Sequence, residues 1–399
     1  MSNSGEYTLE LDKPAQTIWG LGIEVQSDSI GSGNNGLPES QVRSVPYGLE
    51  QSERERLYTE MLPGFRYLRF AGGLYYRGTD EEEKHLKERW ETQNEELAEL
   101  IQMSGIEGID FEFWSPTPYF KASGSYIHGN SDSEDGLRCF SSNFANDPIY
   151  HGDKQKFLED FADTIVADLK MLEENGVPVV QWGLQNEAPH WVRSYSHCKY
   201  TEQEYYETMK VVVPKIREAF PDIHIHADSW NGQYSEGSKK IIKDQELLNE
   251  IDGWTFHRIG YDSDDQINNR NFYNSEKGRD DIPVYNNEFE YFSDTSDWKC
   301  INTAQSLMNW MTFENSPTWH WLHMLKPFGN SEASGYSLGY FRPYDYKESE
   351  NVPTGFEDVE PGHWDYNYQN WNSVRGFLKY MPWNSIRYEV SEDQVSGCK

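Results

Sequence analysis

Two predicted strands of this sequence run from apolar residues into a glutamate. The first covers residues 177–184 and leads into Asn186 and Glu187, and the second covers residues 282–287 and leads into Glu288. Two facing carboxyl groups can cleave a glycosidic bond, because one protonates the leaving oxygen while the other attacks the sugar or activates water. With 67 Asp and Glu residues in the chain, a single strand-end glutamate is ordinarily a solvated surface group. Glu187 differs from such a surface group because it lies in a Gln-Asn-Glu-Ala-Pro segment at the end of an apolar strand, which favours a functional role.

Glu288 and Glu290 compete for the second position of the pair. They are two residues apart on an extended segment, so their side chains point to the same face. Glu288 directly follows the predicted strand, whereas Glu290 lies one pleat farther out. We therefore predict that Glu187 and Glu288 are the catalytic residues.

The elements that must position these residues follow from an alternation of short apolar runs with longer amphipathic stretches. This pattern is typical of βα units around a parallel sheet. The eight predicted strands are Ile18 to Val25, Phe65 to Ala71, Ile109 to Trp114, Val177 to Leu184, Ile223 to Asp228, Gly253 to Arg258, Ile282 to Asn287 and Thr318 to Leu325. They predict an α/β fold, a (β/α)8 TIM barrel, whose reactive groups lie at the C-terminal strand ends.

Short segments with alternating polar and apolar residues lie near both termini, at residues 6–11 and 385–390. Such alternation is typical of half-buried strands. We therefore predict a catalytic barrel over residues 12–383, with a small accessory β-structure built from residues 1–11 and 384–399.

The composition excludes several classes of partner. The 399 residues include 35 Lys and Arg against 67 Asp and Glu, a formal net charge of −32, together with 14 Trp, 26 Tyr and 19 Phe. This charge repels nucleic acids and anionic membranes, and no apolar run approaches the roughly 20 residues that span a bilayer. The expected partner is therefore a neutral carbohydrate. We expect the chain to bind no nucleic acid, to insert into no membrane and to be a monomer.

The sequence also indicates no metal ion or organic cofactor. The four cysteines are dispersed without a Cys-x-x-Cys pair, and their disulfide state stays open. His224 and His226 form a His-x-His motif, but it lies in the fifth predicted strand without a coherent ligand set. A metal-dependent barrel hydrolase is therefore a disfavoured alternative.

Several segments together resemble the retaining glycoside hydrolases of clan A, and most closely family 30. They are QTIWGLG at residues 16–22, FWSPTPYFK at residues 113–121 and GVPVVQWGLQNEAP at residues 176–189. The resemblance spans about residues 16–390, and the Gln-Asn-Glu and Ser-Pro segments are its more specific parts. It implies a retaining β-glycosidase that hydrolyses an oligo- or polysaccharide by double displacement on a TIM barrel.

Carried over residue by residue, the resemblance makes Glu187 the general acid/base and Glu288 the nucleophile. Asn186 would hydrogen-bond the sugar 2-hydroxyl, and Arg69 would keep the nucleophile ionised and oriented. Two positions depart from the family pattern: Asn287 stands where a threonine is usual, and the proline after Asn-Glu comes one residue later. The family's β-sandwich, built from both termini, would here be truncated, reduced or completed elsewhere.

Further side chains near the strand ends are candidate substrate contacts. His257 could contact the nucleophile or the substrate, although a lone strand-end histidine is often structural. Trp319 and Trp321 share one strand face, where one could form the floor under the sugar or both could belong to the core. Other aromatic candidates, each of which could equally be core, are Trp114, Tyr119, Trp191, Trp230 and Tyr261.

Two functions of different class remain open at this point. The first is a retaining β-glycosidase, and the second is a catalytically silent barrel whose aromatic residues still bind sugars. The presence of both carboxylates favours the enzyme, and an open cleft lined by Trp and Tyr favours an extracellular or periplasmic carbohydrate. The sugar, the linkage and exo or endo action stay undetermined.

Overall fold

The computed structural model describes residues 7–25, 48–73, 84–126, 134–190, 196–230, 235–259, 278–290, 299–328, 337–344 and 352–392. Its strands are β1 Tyr7–Ile18, β2 Leu21–Val25, β3 Phe65–Gly72, β4 Gly108–Phe113, β5 Val179–Gly183, β6 His224–Trp230, β7 Gly253–Ile259, β8 Val284–Glu290, β9 Trp319–Trp321, β10 Leu325–Pro327, β11 Gly339–Phe341, β12 Trp364–Tyr366 and β13 Ser385–Glu392. The helices of the described ranges are α1 Gln51–Arg56, α2 Lys84–Ser104, α3 Lys154–Glu174, α4 Glu202–Ala219, α5 Ser235–Lys243, α6 Gln245–Leu248, α7 Lys299–Phe313 and α8 Tyr368–Tyr380.

Strands β2 to β9 form a closed parallel barrel in chain order. The barrel closes where β9 pairs with β2, with Gly22 opposite His320 and Ile23 opposite Trp321. Helix α3 buries Phe157, Phe161, Ile165, Leu169 and Leu172, which recur at helical spacing, because an amphipathic helix on a sheet hides its apolar face. The predicted (β/α)8 barrel is therefore confirmed.

The predicted eighth strand was wrong at its C-terminal end. The barrel strand β9 ends at Trp321, and β10 belongs to a separate three-stranded sheet with β11 and β12. The chain turns away from the barrel at His323 and Met324, whose carbonyls accept hydrogen bonds from the backbone of Leu338 and Gly339. Leu322, Met324 and Leu325 continue the apolar pattern past this turn and concealed it, and the short sheet was missed because each of its strands has only three residues.

The accessory β-structure from the two termini is confirmed. Strand β1 pairs antiparallel with β13, from Tyr7 opposite Glu392 to Ile18 opposite Ser385. Leu9 and Leu11 on β1 and Val390 on β13 are exposed, so part of this two-stranded sheet is open to solvent.

The interior of the barrel is polar near its middle, where branched aliphatic residues usually dominate. Asp110 bonds His226 at 2.8 Å, and both side chains are fully buried. Gly22 and Gly183 make the space, because a Cβ at either position would collide with the ring of His320 or His226. Burial alone would raise the pKa of Asp110, but the two histidines lower it to about 2.

None of the helices in the described ranges is both long enough and apolar enough to cross a membrane.

Candidate active site

The two strands that flank β7 in the barrel, β6 and β8, both bulge at the C-terminal end. Ser229 is an extra residue in β6, and Asn287 is an extra residue in β8, each inserted against consecutive residues of β7. A bulge re-aims side chains and is common beside active sites. Here it lets the Asn287 amide donate to the Ser229 hydroxyl at 3.0 Å and reach Glu112 at 3.5 Å. Asn287, which departs from the family pattern, therefore links β8 to β6 and β4.

The chain after β5 is fixed to the strands on both sides. The backbone N–H of Asn186 donates to the carbonyl of Phe113 at 2.7 Å, and that of Glu187 donates to the carbonyl of Ser229 at 2.9 Å. Glu187 has φ 47°, in the left-handed region that is costly for a residue with a side chain. The two hydrogen bonds hold Glu187 at the mouth of the barrel, where its side chain is 13% exposed.

Arg69 on β3 is the centre of the site. One guanidinium nitrogen bonds both Glu24 and Glu288, and the other bonds Glu112 at 2.6 Å and the amide oxygen of Asn186 at 2.7 Å. Burial disfavours the charge on Arg69, but the three carboxylates raise its pKa well above the ordinary value. Its planar, forked donors can hold several oxygens at fixed positions. Arg69 therefore orients Glu288 and Asn186 together.

His257 connects the two candidate catalytic carboxyls. Its Nδ1 lies 3.0 Å from a Glu187 oxygen and 3.6 Å from a Glu288 oxygen, and its Nε2 lies 3.4 Å from an Arg69 nitrogen. Since Arg69 can only donate, Nε2 accepts and Nδ1 carries the proton. One oxygen of Glu187 and one of Glu288 lie within 4.8 Å of each other.

The surroundings push the two ionisable groups beside the cleft toward their neutral forms. Burial raises the pKa of Glu187, against the opposing charges of His190, His197 and Arg69. Burial likewise lowers the pKa of His257 to about 4. A neutral imidazole that donates to a Glu187 oxygen leaves the proton of that carboxyl on its other oxygen. The site thus holds a carboxyl group whose raised pKa favours its protonated form, beside the buried Glu288, which is bonded to Arg69.

Comparison with solved structures gives a close match in fold. The chain is similar to a conserved exported protein from Bacteroides fragilis, with a TM-score of 0.71 and 12% identity, covering 98% of this chain and 84% of that one. It is similar to an endo-β1,6-glucanase, with a TM-score of 0.67 and 14% identity over 98% and 82%. It is also similar to a GH30 endoxylanase from Clostridium papyrosolvens, with a TM-score of 0.59 and 16% identity over 98% and 79%. The fold is that of family 30 glycoside hydrolases.

At these identities the likeness shows the fold alone. No protein-family model matches the chain, and no curated protein matches it either.

Within this family 30 fold, the candidate residues divide into two groups. Arg69, Asn186, Glu187, His257 and Glu288 meet at one point at the C-terminal strand ends. Trp114 lies beside them, with its ring 4.6 Å from the Arg69 guanidinium carbon. Trp230 is half-buried at the end of β6, and its ring lies 5.5 Å from that of His190. These two aromatic residues remain candidate sugar contacts.

Trp319 and Trp321 do not line an open cleft. Both rings are completely buried, and both pack against Phe289, at ring distances of 4.4 and 5.8 Å. His320 between them points the other way, into the barrel, beside Asp110. Trp319 and Trp321 do share one face, but that face lies on the helix side of the strand. The predicted floor under the sugar is therefore corrected to barrel core, and Tyr261 and Trp191 lie outside the described residues.

Sequence reasoning missed the two carboxylates that share Arg69 with Glu288. Glu24 and Glu112 are both buried, and each lies in a strand whose neighbours are apolar. The signal was available: in the Ile-Asp-Phe-Glu-Phe run of β4, two acids alternate with buried apolar residues, which places both acids inside the barrel. A charge inside a fully buried strand needs a partner, and Arg69 on the adjacent strand is that partner.

Glu187, His257 and Glu288 are also the group whose spacing could hold a metal ion among the described residues. The Arg69 guanidinium already bonds Glu288 and approaches His257 at 3.4 Å. A second cation there would face direct repulsion, because buried charges are poorly screened. The donor set therefore does not fit a metal site.

A cavity of about 660 Å³ lies at the opposite, N-terminal end of the barrel. Its lining includes Trp19, Tyr67, Gln181 and His224, together with the ion pair between Arg66 and Glu107. None of the candidate catalytic residues borders it. In TIM barrels this end contributes stability, whereas the chemistry occurs at the C-terminal end.

Buried neutral histidines make the stability of this fold sensitive to acid. Burial lowers the pKa of His257 to about 4, that of His320 to about 3 and that of His323 well below its usual range. The unfolded chain binds these protons near pH 6.5, but the folded protein does not, so stability falls as the pH drops below 6.5. We expect the free energy of unfolding to lose about 3–4 kcal/mol per pH unit near pH 5.5, which corresponds to two or three protons.

Urea unfolding between pH 7.5 and 5 measures this slope. The raised pKa of Glu187 has the opposite effect on this slope, by up to one proton. The expected number of protons is therefore two or three rather than three. His320→Gln should lower the slope by one proton. A free energy that is flat between pH 6.5 and 5 would contradict the burial of these rings in neutral form.

Proposed function

We propose that the protein is a retaining β-glycosidase that hydrolyses an oligo- or polysaccharide by double displacement. Glu187 is the general acid/base, and Glu288 is the nucleophile. The observation that carries this proposal is the approach of their carboxyl oxygens to within 4.8 Å. Retaining enzymes separate their carboxyls by about 5–5.5 Å, whereas inverting enzymes leave about 6.5–9.5 Å for a water molecule.

In the first step, a Glu288 oxygen attacks the anomeric carbon while Glu187 gives its proton to the departing oxygen. Arg69 bonds Glu288 at one oxygen and so orients the carboxylate. The raised pKa of Glu187 favours the protonated form that this step requires. The glycosidic bond breaks, and the sugar becomes an ester of Glu288.

In the second step, Glu187 removes a proton from water, which attacks the anomeric carbon and releases Glu288. Esterification has removed the charge of Glu288, so one nearby negative charge no longer opposes ionisation of Glu187. The same residue can then act as a base. Two displacements restore the original configuration.

Asn186 is suited to contact the sugar beside the reacting carbon. Arg69 holds its amide oxygen, which directs the amide nitrogen to the other side. That nitrogen is the proposed donor to the 2-hydroxyl, and Trp114, Trp230 and Tyr261 are proposed to line the sugar sites. His257 holds the Glu187 carboxyl rather than the sugar.

The substrate class follows from chemistry and from the neighbours in fold. A glucanase and an endoxylanase share this fold, and both names describe action on polysaccharides. The net charge of −32 disfavours anionic polymers and leaves neutral glycans as the proposed substrate. We propose that the reaction takes place outside the cytoplasm, where such polymers occur. The proposed catalytic unit is the monomeric barrel of residues 12–383, which uses no cofactor.

Stereochemistry tests the proposal directly. Aryl β-glucosides and β-xylosides and neutral polysaccharides are screened first, and the hydrolysis of an active substrate is then followed by ¹H NMR. We expect the β-anomer to form first and the α-anomer to appear only by mutarotation. A first-formed α-anomer would contradict the retaining pair, and sugar binding without any hydrolysis would favour the silent carbohydrate-binding barrel.

A further inference from the structure

The backbone of Glu187 is held in an unfavourable conformation from both sides. Its φ of 47° lies in the left-handed region that is unfavourable for a residue with a side chain, so surrounding contacts must impose it. Its N–H donates to Ser229, which itself has φ 47°. Its carbonyl oxygen accepts from the backbone of His190 at 2.8 Å and faces the Nε2 of His197 at 3.3 Å.

His197 is the side chain in this arrangement that the catalytic steps do not use. It is fully buried, in the loop between β5 and α4. Because the Glu187 carbonyl can only accept, Nε2 of His197 is the donor in this contact. The ring thus reaches the backbone of the acid/base residue without touching its carboxyl.

Lys121 and Asp135 fix the orientation of that ring. Asp135 presents one oxygen to Nδ1 of His197 at 3.3 Å and the other to the Lys121 ammonium at 2.8 Å. Lys121 also donates to the backbone carbonyl of His197. All three side chains are buried. Polar and charged side chains that are removed from water keep a fixed geometry only when each of them has a hydrogen-bond or ion-pair partner.

Lys121, Asp135 and His197 hold together two different loops, the one after β4 and the one after β5. Lys121 and Asp135 follow β4, whereas His197 and Glu187 follow β5. The backbone of Lys199 also donates to the Asp135 carbonyl at 3.0 Å, and that of His197 donates to Tyr126 at 3.1 Å. The loop after β4 therefore supports the turn that carries Glu187.

We propose that His197, oriented by Asp135 and Lys121, is a positioning residue that holds Glu187 in place for proton transfer. This inference rests on the proposed function of Glu187 as acid/base. Its consequence is specific for the first displacement, which kcat/KM reports, because a misplaced acid slows that step only when the leaving group needs a proton. A displacement of about 1 Å at a reacting group can cost roughly 100-fold in rate.

Two aryl glycosides of the sugar that the wild type hydrolyses provide the readout. A dinitrophenyl leaving group departs without a proton, and a phenyl leaving group needs one. For His197→Leu we expect kcat/KM to fall roughly 100-fold on the phenyl glycoside and less than about 5-fold on the dinitrophenyl glycoside. His197→Gln places an amide N–H near the position of Nε2, so it should recover most of the lost rate.

Two further variants make the result decisive. Glu187→Ala shows how far kcat/KM depends on the leaving group when the acid is missing altogether. Asp135→Asn should lose kcat/KM on the phenyl glycoside more than on the dinitrophenyl glycoside, but by a smaller factor than His197→Leu. Equal losses of His197→Leu on both glycosides, or equal behaviour of the Leu and Gln variants with both shown to be folded by circular dichroism, would overturn the positioning role. If Glu187→Ala shows no leaving-group dependence although the wild type is active, the proposed acid/base assignment fails instead. A wild type inactive on every glycoside would end both proposals.

Discussion

Glu288→Ala should lower kcat/KM on aryl β-glycosides by at least about 10⁴-fold while leaving the fold intact. The first displacement has no other nucleophile, and removing one of several groups that act together commonly abolishes nearly all of the catalysis. Stability should not fall in parallel. Arg69 faces three buried carboxylates, so removing Glu288 ends its repulsion with the other two and leaves those two paired with the guanidinium. We expect the free energy of unfolding to be equal to or higher than that of the wild type.

Steady-state kinetics and urea unfolding of Glu288→Ala measure both effects. Azide should restore part of the turnover of a dinitrophenyl glycoside, because a small anion can enter the space left by the carboxylate. The product should be the α-glycosyl azide, since the anion attacks from the side of Glu288. Glu290→Ala is the matched control and should retain activity within about 10-fold. A wild-type rate for Glu288→Ala, or the larger loss for Glu290→Ala, would refute the choice of nucleophile.

The barrel could be predicted from sequence because its signals are local. Each strand is a short apolar run, and helix α3 shows its buried face in five residues at helical spacing. The candidate catalytic segment was visible for the same reason: Asn186 and Glu187 end an apolar strand before a proline. The sequence did not show which face of strand β9 points into the barrel, because alternation shows only which side chains share a face. Alternation therefore left open whether Trp319 and Trp321 lie under the sugar or in the core.

The buried charge cluster could not be derived from local patterns. Glu24, Arg69 and Glu112 lie on three successive barrel strands, and only the register brings their side chains together. The bulges at Ser229 and Asn287 shift the pairing of β6 and β8 with β7 by one residue, and their positions have no sequence signal that we can identify. Likewise, His197 is ten residues from Glu187 in an irregular loop, so only coordinates show that it reaches the Glu187 carbonyl.

Replacement of Arg69 tests this cluster more severely than any other single change. Arg69→Met keeps an unbranched apolar side chain but leaves Glu24, Glu112 and Glu288 buried without their cation. Breaking a buried ion pair by removing one partner costs about 3–5 kcal/mol, and three carboxylates share this one. We therefore expect the free energy of unfolding to fall by at least about 4 kcal/mol at pH 7.5. Activity should be lost as well, because Glu288 and Asn186 both lose their shared donor.

The pH dependence of that loss distinguishes buried charge from lost packing. The folded variant can relieve repulsion among its carboxylates by binding protons, and the unfolded chain at the same pH gains less from doing so. The destabilisation relative to wild type should therefore be smaller at pH 5 than at pH 7.5. Arg66→Met on the same strand is the matched control: it removes an ion pair with the half-exposed Glu107 and should cost about 1 kcal/mol. If Arg69→Met cost no more than Arg66→Met, or if its cost did not change with pH, the three carboxylates could not depend on Arg69 for their charge balance.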